Sequence, residues 1–527
     1  MPGYFTARIC IWITISALIF PAVSFADWQA DLTTLITMDQ PDHQLLKKIV
    51  RADPDYWEVM TVIENLTFKQ PEQTKHFTLR HYTGLDGESR PFVVYIPSAY
   101  DAQKPTPLLV YLHGGVSHKD IEEDPLKYAR ENEFVPVAEK ENWLLLFPFG
   151  QGGATWWDEV GMNNILGEIK AVKRKFNVDD DQVALTGFSD GASGSFSLAM
   201  LLPDTFSCFI PLNGHIGVAS IDGKLPLYVS NLTTTPLHVI NTDIDRLYPS
   251  KSMKPMLDLA ANAGADIEFK VYQGIGHDFD YAPRELPFIV KFIKAHPRNP
   301  FLSSLTWEAS HPAYNRRLWI QIDTIADTKQ APWHFDYKLR LVNERVMFGF
   351  IPDEKYTGKG VKIATVPQGE SLCNQLKLKA GDVFLQGDSI EINNIDDLNT
   401  FKQTKKRGDP VQVLILRENQ ELELSGSFPP PEEYDLFLIE KSGRIKATKQ
   451  DNAVMLQTSR VAKCSLYVHP SLFQLDQPIV VSVEQTKIFE GKIKPDLEFA
   501  LGDFLHRRDR KVIYCNKIYL DLAGQHN

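Results

Sequence analysis

Cysteine is scarce in this chain. Five in 527 residues cannot build a disulfide framework, so apolar cores must hold the fold. Basic residues are also in deficit. Lys and Arg number 56 against 67 Asp and Glu, a formal charge of −11, which argues against a nucleic-acid protein held by a general basic surface. Histidines and acids do not cluster at ligand spacing, so no metal site is expected. There is no tandem repeat or low-complexity tract, and no later stretch is long and apolar enough to span a bilayer. Core material, by contrast, is plentiful. Hydrophobic residues make up 43% and aromatics 11%, which excludes a disordered or collagen-like chain. At about 150 residues per domain, the length allows three or four folded units.

Residues 1–26 have the layout of a secretory signal peptide. Arg8 precedes an apolar run from Ile9 to Phe20, Pro21 breaks it, and Ser24-Phe25-Ala26 offers small residues for cleavage. The run is shorter than the ~20 residues a spanning helix needs. The expectation is a secreted or periplasmic bacterial protein with no membrane span after cleavage. Removing this segment takes Arg8 and no acid, leaving −12 and four cysteines. In an oxidising compartment Cys464 and Cys515, both on strand-like runs, become candidates for a bridge.

Residues 27–74 read as a helical segment, with Leu45, Leu46, Ile49 and Val50 at helical spacing and Pro54 as a stop. Short apolar runs then begin at Phe77, Phe92, Leu108, Leu144, Val183, Phe209, Leu237 and Ile267, with helical stretches such as Asn164–Lys175 and Ser250–Ala263 between the later ones. Continuous apolar strands alternating with helices predict a mostly parallel sheet with helices on both faces, an α/β domain over residues 75–297. Beyond it the alternation stops. Residues 301–346 and 433–527 read as β-rich, the latter as short strands with turns at Ser442-Gly443 and Pro470. Residues 348–428 form a separate unit closed by Pro429-Pro430-Pro431, an extended linker. The basic run His506–Lys511 reads as a solvated turn between strands.

One constellation carries chemistry. Gly187-Phe188-Ser189-Asp190-Gly191 follows an apolar strand and opens a helix, the strand–turn–helix context of a nucleophile elbow. A serine hydroxyl needs a base, and the base an orienting group. After the run Leu237–Ile240 come Asp243 and Asp245, the latter before a loop closed by Pro249. Asp245 is the better candidate and Asp243 the alternative. After the last strand, His277 sits on a Gly-flanked loop, which completes the order Ser, Asp, His. His113-Gly114-Gly115-Val116 ends an earlier strand. Gly115 or Val116 should supply one oxyanion N–H and Asp190 the other, with His113 structural. This chemistry calls for no cofactor. Trp156 and Trp157 are candidates for an aromatic wall at the substrate, with core packing as the competing use.

On the stretches VVYIPSAYDAQKPTPLLVYLHGG, ATWWDEVG, VDDDQVALTGFSDGASG and GIGHDF, this part of the chain resembles an α/β-hydrolase. More narrowly, it is similar to secreted esterases of the polyhydroxybutyrate depolymerase and feruloyl esterase type. The resemblance implies a serine hydrolase cleaving small-molecule or polymer esters through an acyl-enzyme. Asp190 departs from the small residue such esterases often carry there, and its charge should disfavour strongly acidic substrates. Residues 348–428, with FGFIPD and LKAGDV, resemble a PDZ domain of the periplasmic-protease kind. That implies a peptide C-terminus held at Phe348, Gly349 and Phe350, or a spacer with an empty groove. The flanking β-rich pieces resemble a module appended to esterases of environmental bacteria and are expected to form one β-sandwich interrupted by the PDZ-like unit. Two other functions share these features: a prolyl oligopeptidase-type peptidase, and an idle hydrolase acting as a PDZ-containing binding protein. The first usually carries a propeller before the hydrolase domain, and about 45 residues between signal and first strand are too few for one.

Overall fold

The computed structural model describes residues 28–72, 76–116, 121–344, 346–353, 355–437 and 440–522. The expected signal peptide lies outside them. The eight apolar runs form β1 (Phe77–Thr83), β2 (Ser89–Tyr95), β3 (Thr106–Leu112), β4 (Leu144–Pro148), β5 (Val178–Phe188), β6 (Phe209–Leu212), β7 (Leu237–Thr242) and β8 (Ile267–Tyr272). They join one sheet in the order β1-β2-β4-β3-β5-β6-β7-β8. From β4 to β8 every neighbour is parallel, while β1 and β2 run antiparallel at one edge. Helices Glu159–Lys175, Asp190–Leu201 and Ser250–Asn262 bury one face, and Pro125–Arg130, Val135–Glu141 and Ala282–Ala295 the other. Strands covered on both faces must be apolar throughout, which is why β4 reads Leu-Leu-Leu-Phe before its proline. The strand order reverses where β3 meets β5, the place where an open α/β sheet leaves a crevice at its carboxyl ends.

Beyond the hydrolase-like sheet the chain is β-rich. Strands β9 (Ser304–Ala309), β10 (Arg316–Arg317) and β11 (Ile320–Ile325) leave it first. A ribbon of β12 (Leu339–Asn343) and β19 (Glu432–Leu436) carries the chain out and back. Between its arms lie β13 (Ile351–Pro352), β14 (Val361–Thr365), β15 (Val383–Gly387), β16 (Ile390–Glu391), β17 (Pro410–Arg417) and β18 (Gln420–Ser427), around a core containing Phe348, Phe384, Phe401 and Phe428. The prolines 429–431 are therefore one of two anchored passages, with the Pro429 carbonyl accepting from Gly408 N–H. The last strands are β20 (Gly443–Gln450), β21 (Ala453–Ser459), β22 (Val461–Val468), β23 (Ile479–Val483), β24 (Thr486–Gly491) and β25 (Asn516–Asp521). β9 pairs with β20 and β11 with β22, so both pieces flanking the inserted unit enter two sheets over one core that includes Trp307, Trp319 and Tyr514.

Three sequence expectations need correction here, and the open question of a Cys464–Cys515 bridge is answered. Gly443 opens β20 opposite Ala309 and is not in a turn. The helix Leu497–Arg507 lies within the region read as strands. It was missed because its apolar positions serve a distant partner, packing against the N-terminal helices Trp28–Thr37, His43–Arg51 and Tyr56–Glu64. Asp42 and Asp55 cap the second and third of these by accepting from backbone N–H groups. Cys464 and Cys515 are free. Cys464 faces Leu520 across the β22–β25 ladder, five positions and therefore ~16 Å from Cys515, far beyond the reach of a disulfide.

The third correction concerns His506–Lys511, which is no solvated turn. Arg508 and Asp509 are buried. Asp509 takes Arg298 Nη1 at 2.6 Å, and Arg298 also bonds Asp181 at 3.0 Å. Arg510 donates to Asn177 Oδ1 and to the Val178 carbonyl, each at 2.7 Å. These charges lock the β-rich part against the start of β5. A second junction is built on buried Glu308 of β9, which accepts from Arg444, His334, Ser442 and Ser230.

Candidate active site

Strand β5 delivers Phe188 to the carboxyl edge of the sheet, and Ser189 then turns sharply with φ +58° and ψ −119°. Such a conformation strains a non-glycine residue. It is enforced by crowding on both sides. A Cβ at Gly191 would lie 2.0 Å from the Leu112 carbonyl oxygen, and one at Gly187 would lie 2.5 Å from the Gly191 carbonyl carbon. Glycine is required at both positions so that helix Asp190–Leu201 can press onto β3 and β5.

The hydroxyl thus raised meets its expected partners. Ser189 Oγ donates to His277 Nε2 at 2.8 Å, and His277 Nδ1 donates to Asp245 Oδ2 at 2.8 Å. Asp245 is buried. Its Oδ1 accepts from the Leu247 and Tyr248 amides at 2.7 and 2.9 Å, and its Oδ2 from Asn213 Nδ2 at 2.9 Å. Burial alone would push this carboxyl up. The bonds from His277, the Tyr248 amide and Asn213 outweigh it and hold the carboxyl below its ordinary value. The sign follows: the bonds favour the folded state above the ordinary carboxyl range, and that contribution fades as pH falls through the lowered value. Asp243, the alternative, does not reach the histidine. It accepts from Gly274 N–H at 2.7 Å and fixes the loop that carries His277.

Sequence reasoning missed the support beneath this chain. Asn213, with φ +51°, donates to Thr242 Oγ1 at 2.6 Å as well as to Asp245, and accepts from Tyr281 Oη at 2.6 Å. The only signal was Asn213-Gly214, a turn dipeptide at the end of a strand; its partners come from β7, from the loop after β7 and from the loop after β8.

His113 is structural, as expected. Burial pushes its pKa down, and the neutral ring accepts from Gly150 N–H at Nε2 and donates from Nδ1 to the Gly114 carbonyl. Val116 is a correction. Its N–H donates to Asp190 Oδ2 at 3.0 Å, so of the two alternatives Gly115 is the open one. The Gly115 and Asp190 N–H groups have no acceptor among the described residues. Asp190 is engaged on its other oxygen too, accepting from Tyr248 Oη at 3.1 Å.

Trp156 and Trp157 form no substrate wall. Trp156 is 1% exposed and Trp157 6%. The Trp156 indole donates to the His113 carbonyl at 2.8 Å and packs against Gly150 and Gly194, holding the Gly-rich loop from beneath. The aromatic surface beside His277 comes instead from Tyr128, Phe188 and Phe279, in a cavity of about 330 Å³ whose acidic members are Glu131, Glu133 and Asp278. Phe348 is likewise a core residue, its carbonyl accepting from Cys373 N–H; Gly349 has φ +87°, and Phe350 stacks near Phe384.

The sheet and the elbow define an α/β-hydrolase fold. Residues 100–297 match the phospholipase/carboxylesterase family model. A bifunctional acetylxylan esterase/xylanase, XynS20E of Neocallimastix patriciarum, is 25% identical over 167 residues, 31% of this chain and 24% of that protein. The chain thus spans about a quarter of that relative. Among solved structures, a thermostable esterase is 17% identical with a TM-score of 0.37, over 43% of this chain and 64% of that one. The fluorophosphonate-binding serine hydrolase FphF of Staphylococcus aureus is 16% identical with a TM-score of 0.34, over 41% of this chain and 97% of that one. No helix among the described residues is long and apolar enough to cross a membrane.

Proposed function

We propose that this protein is an exported serine esterase acting on short acyl esters of neutral substrates, carbohydrate acetyl esters foremost. The observation that carries the reading is the unbroken chain from Ser189 through His277 to buried Asp245. Ser189 Oγ attacks the ester carbonyl while His277 Nε2 takes its proton, and Asp245 stabilises the resulting imidazolium. The Gly115 and Asp190 amides hold the oxyanion. Collapse expels the alcohol, protonated by His277, and leaves an acyl-enzyme. Water, activated by the same imidazole, then releases the acid. The carboxylates around the cavity disfavour anionic substrates, and the aromatic surface suits a small acyl group or a sugar face. The similarity to part of an acetylxylan esterase supports the acetyl choice.

Asp190 acts on the oxyanion loop as a positioning residue. Asp190→Ala, which releases Val116 and Tyr248, is expected to lower kcat by roughly 10- to 100-fold with KM little changed, on the scale of a weakened oxyanion donor. Asp190→Asn keeps an acceptor oxygen and should recover most of that loss. Equal losses in the two variants would remove this role.

From its resemblance, the unit at 348–428 is proposed to accept a peptide C-terminus along the edge strand β13, where Ile351 is an exposed apolar side chain. One experiment tests both parts: fluorophosphonate labelling, then turnover of acetyl-sugar, feruloyl and nitrophenyl esters, with peptides assayed for cleavage and binding. Labelling at Ser189 with acetyl-ester turnover is the expected result. Cleaved peptides with untouched esters would make it a peptidase, and an unlabelled Ser189 an idle hydrolase. Peptides that fail to bind would sink the second part.

A further inference from the structure

A second cavity lies away from Ser189. It measures about 720 Å³ and lies where residues 39–46, β1, helix Glu159–Lys175 and helix Leu497–Arg507 meet. β1 is four strands from β5 in the sheet, which places this cavity ~19 Å across the sheet from the serine. Its lining is out of character for a chain of net charge −11. Arg80, Lys170, Arg174, Lys175 and Arg508 face it, against a single carboxylate, Asp39.

That carboxylate does little to balance them. Asp39 is 79% exposed and stands 3.4 Å from Arg174, a geometry in which water screens most of the attraction. Burial pushes the carboxyl of Glu168, on the same helix as Lys170, well above its ordinary value and so weakens it as a counter-charge. Arg80 Nε is buried without an acceptor among the described residues, and Arg174 Nε has only the distant Asp39 Oδ1 at 3.4 Å. Native structures rarely leave such donors unused, and an absent ion or ligand is one of the few reasons they do. The crowding registers on Lys170, whose pKa is pushed down to about 8, first by burial and then by Lys173, Arg174 and Arg508. Tyr82, Phe92 and Leu46 supply apolar surface in the same cavity. The volume lies within the range of small-molecule sites and is far larger than an inorganic ion needs.

We propose that this cavity binds a sugar-sized organic oxyanion, its charge carried on a phosphate, sulfate or carboxylate group held by Arg80 and Arg174. Guanidinium forks match all three groups in planar, paired hydrogen bonds. Because the cavity is walled by three parts of the chain, occupancy should also tie the N-terminal helices to the hydrolase sheet.

The test uses the full chain, with titration calorimetry and thermal unfolding in glucose 6-phosphate, glucose 6-sulfate, glucuronate, inorganic phosphate and uncharged glucose. At least one charged sugar should bind saturably and raise the unfolding midpoint, while glucose does neither; which one does so names the charged group. Arg174→Gln and, separately, Lys170→Gln should weaken that binding about tenfold or more, the effect of one charge-assisted hydrogen bond. Ester hydrolysis should be unchanged in both. Charged sugars that bind no better than glucose would overturn the proposal, as would full affinity in both variants. Inorganic phosphate binding as tightly as the best sugar would reduce the cavity to an ion site and refute the sugar-sized ligand.

Discussion

Ser189→Ala is expected to lower kcat for nitrophenyl acetate by a factor on the order of 10⁶, the scale on which a triad loses its nucleophile. The alanine takes the same backbone position as serine, so the elbow at φ +58° stays as strained as before. Only Oγ and its 2.8 Å bond to His277 are lost. The unfolding midpoint should therefore move little, separating a chemical effect from a structural one. Labelling by a fluorophosphonate should vanish with the activity. Turnover within tenfold of the parent would mean that another nucleophile performs the hydrolysis, and the mechanism proposed for Ser189 would fall.

The second large effect lies far from the site. Asp509→Asn is expected to destabilise the fold by about 3–5 kcal/mol, the cost of breaking a buried ion pair from one side. Asp509 is 4% exposed, and Arg298 Nη1 lies 2.6 Å from it. Burial would raise this carboxyl, but Arg298 and then Arg507 hold it well below the ordinary carboxylate range. The pair therefore stabilises the fold above that range and loses its contribution only as pH falls through the lowered value. Asparagine keeps the shape and deletes the charge, leaving Arg298 buried with Asp181 as its paired carboxylate and the Asp204 carbonyl as a neutral acceptor. Urea unfolding at neutral pH should show the loss, and the gap between variant and parent should close in strong acid. An exposed pair such as Lys254–Asp258 should tolerate Lys254→Ala without measurable change. An Asp509→Asn loss below about 1 kcal/mol would show that this junction does not hold the β-rich part in place.

The two predictions differ in how visible their residues were in the sequence. Ser189, Asp245 and His277 each stand at the end of an apolar run, in the chain order an α/β-hydrolase imposes, and the structure brings all three together. The eight strands were legible for a related reason: a strand covered on both faces must be apolar throughout, and that is a local property of the sequence. The elbow glycines carried the same local message, since a side chain at either would strike backbone.

What stayed hidden depends on partners remote in the chain. Asp509 meets Arg298 across 211 positions, so a run rich in charge read as solvated until the fold buried it. Trp156 and Trp157 were ambiguous because an aromatic residue suits a core and a substrate wall equally. Only the packing of Gly150 and Gly194 against Trp156 settled that choice. Val116 and Gly115 were equivalent donors by sequence, and the fold separated them by turning the Asp190 carboxylate onto one. Asn213 and Tyr281 carried no catalytic signature at all.

The sequence by itself therefore determined the sheet, the elbow and the identity of the three groups at its edge, because each follows from burial or crowding among near neighbours. The tertiary structure alone decided which amide is free, what surrounds the histidine, how the β-rich part is held, and that five cations share one cavity. Each of those depends on charges and hydrogen bonds between segments that the chain order keeps far apart.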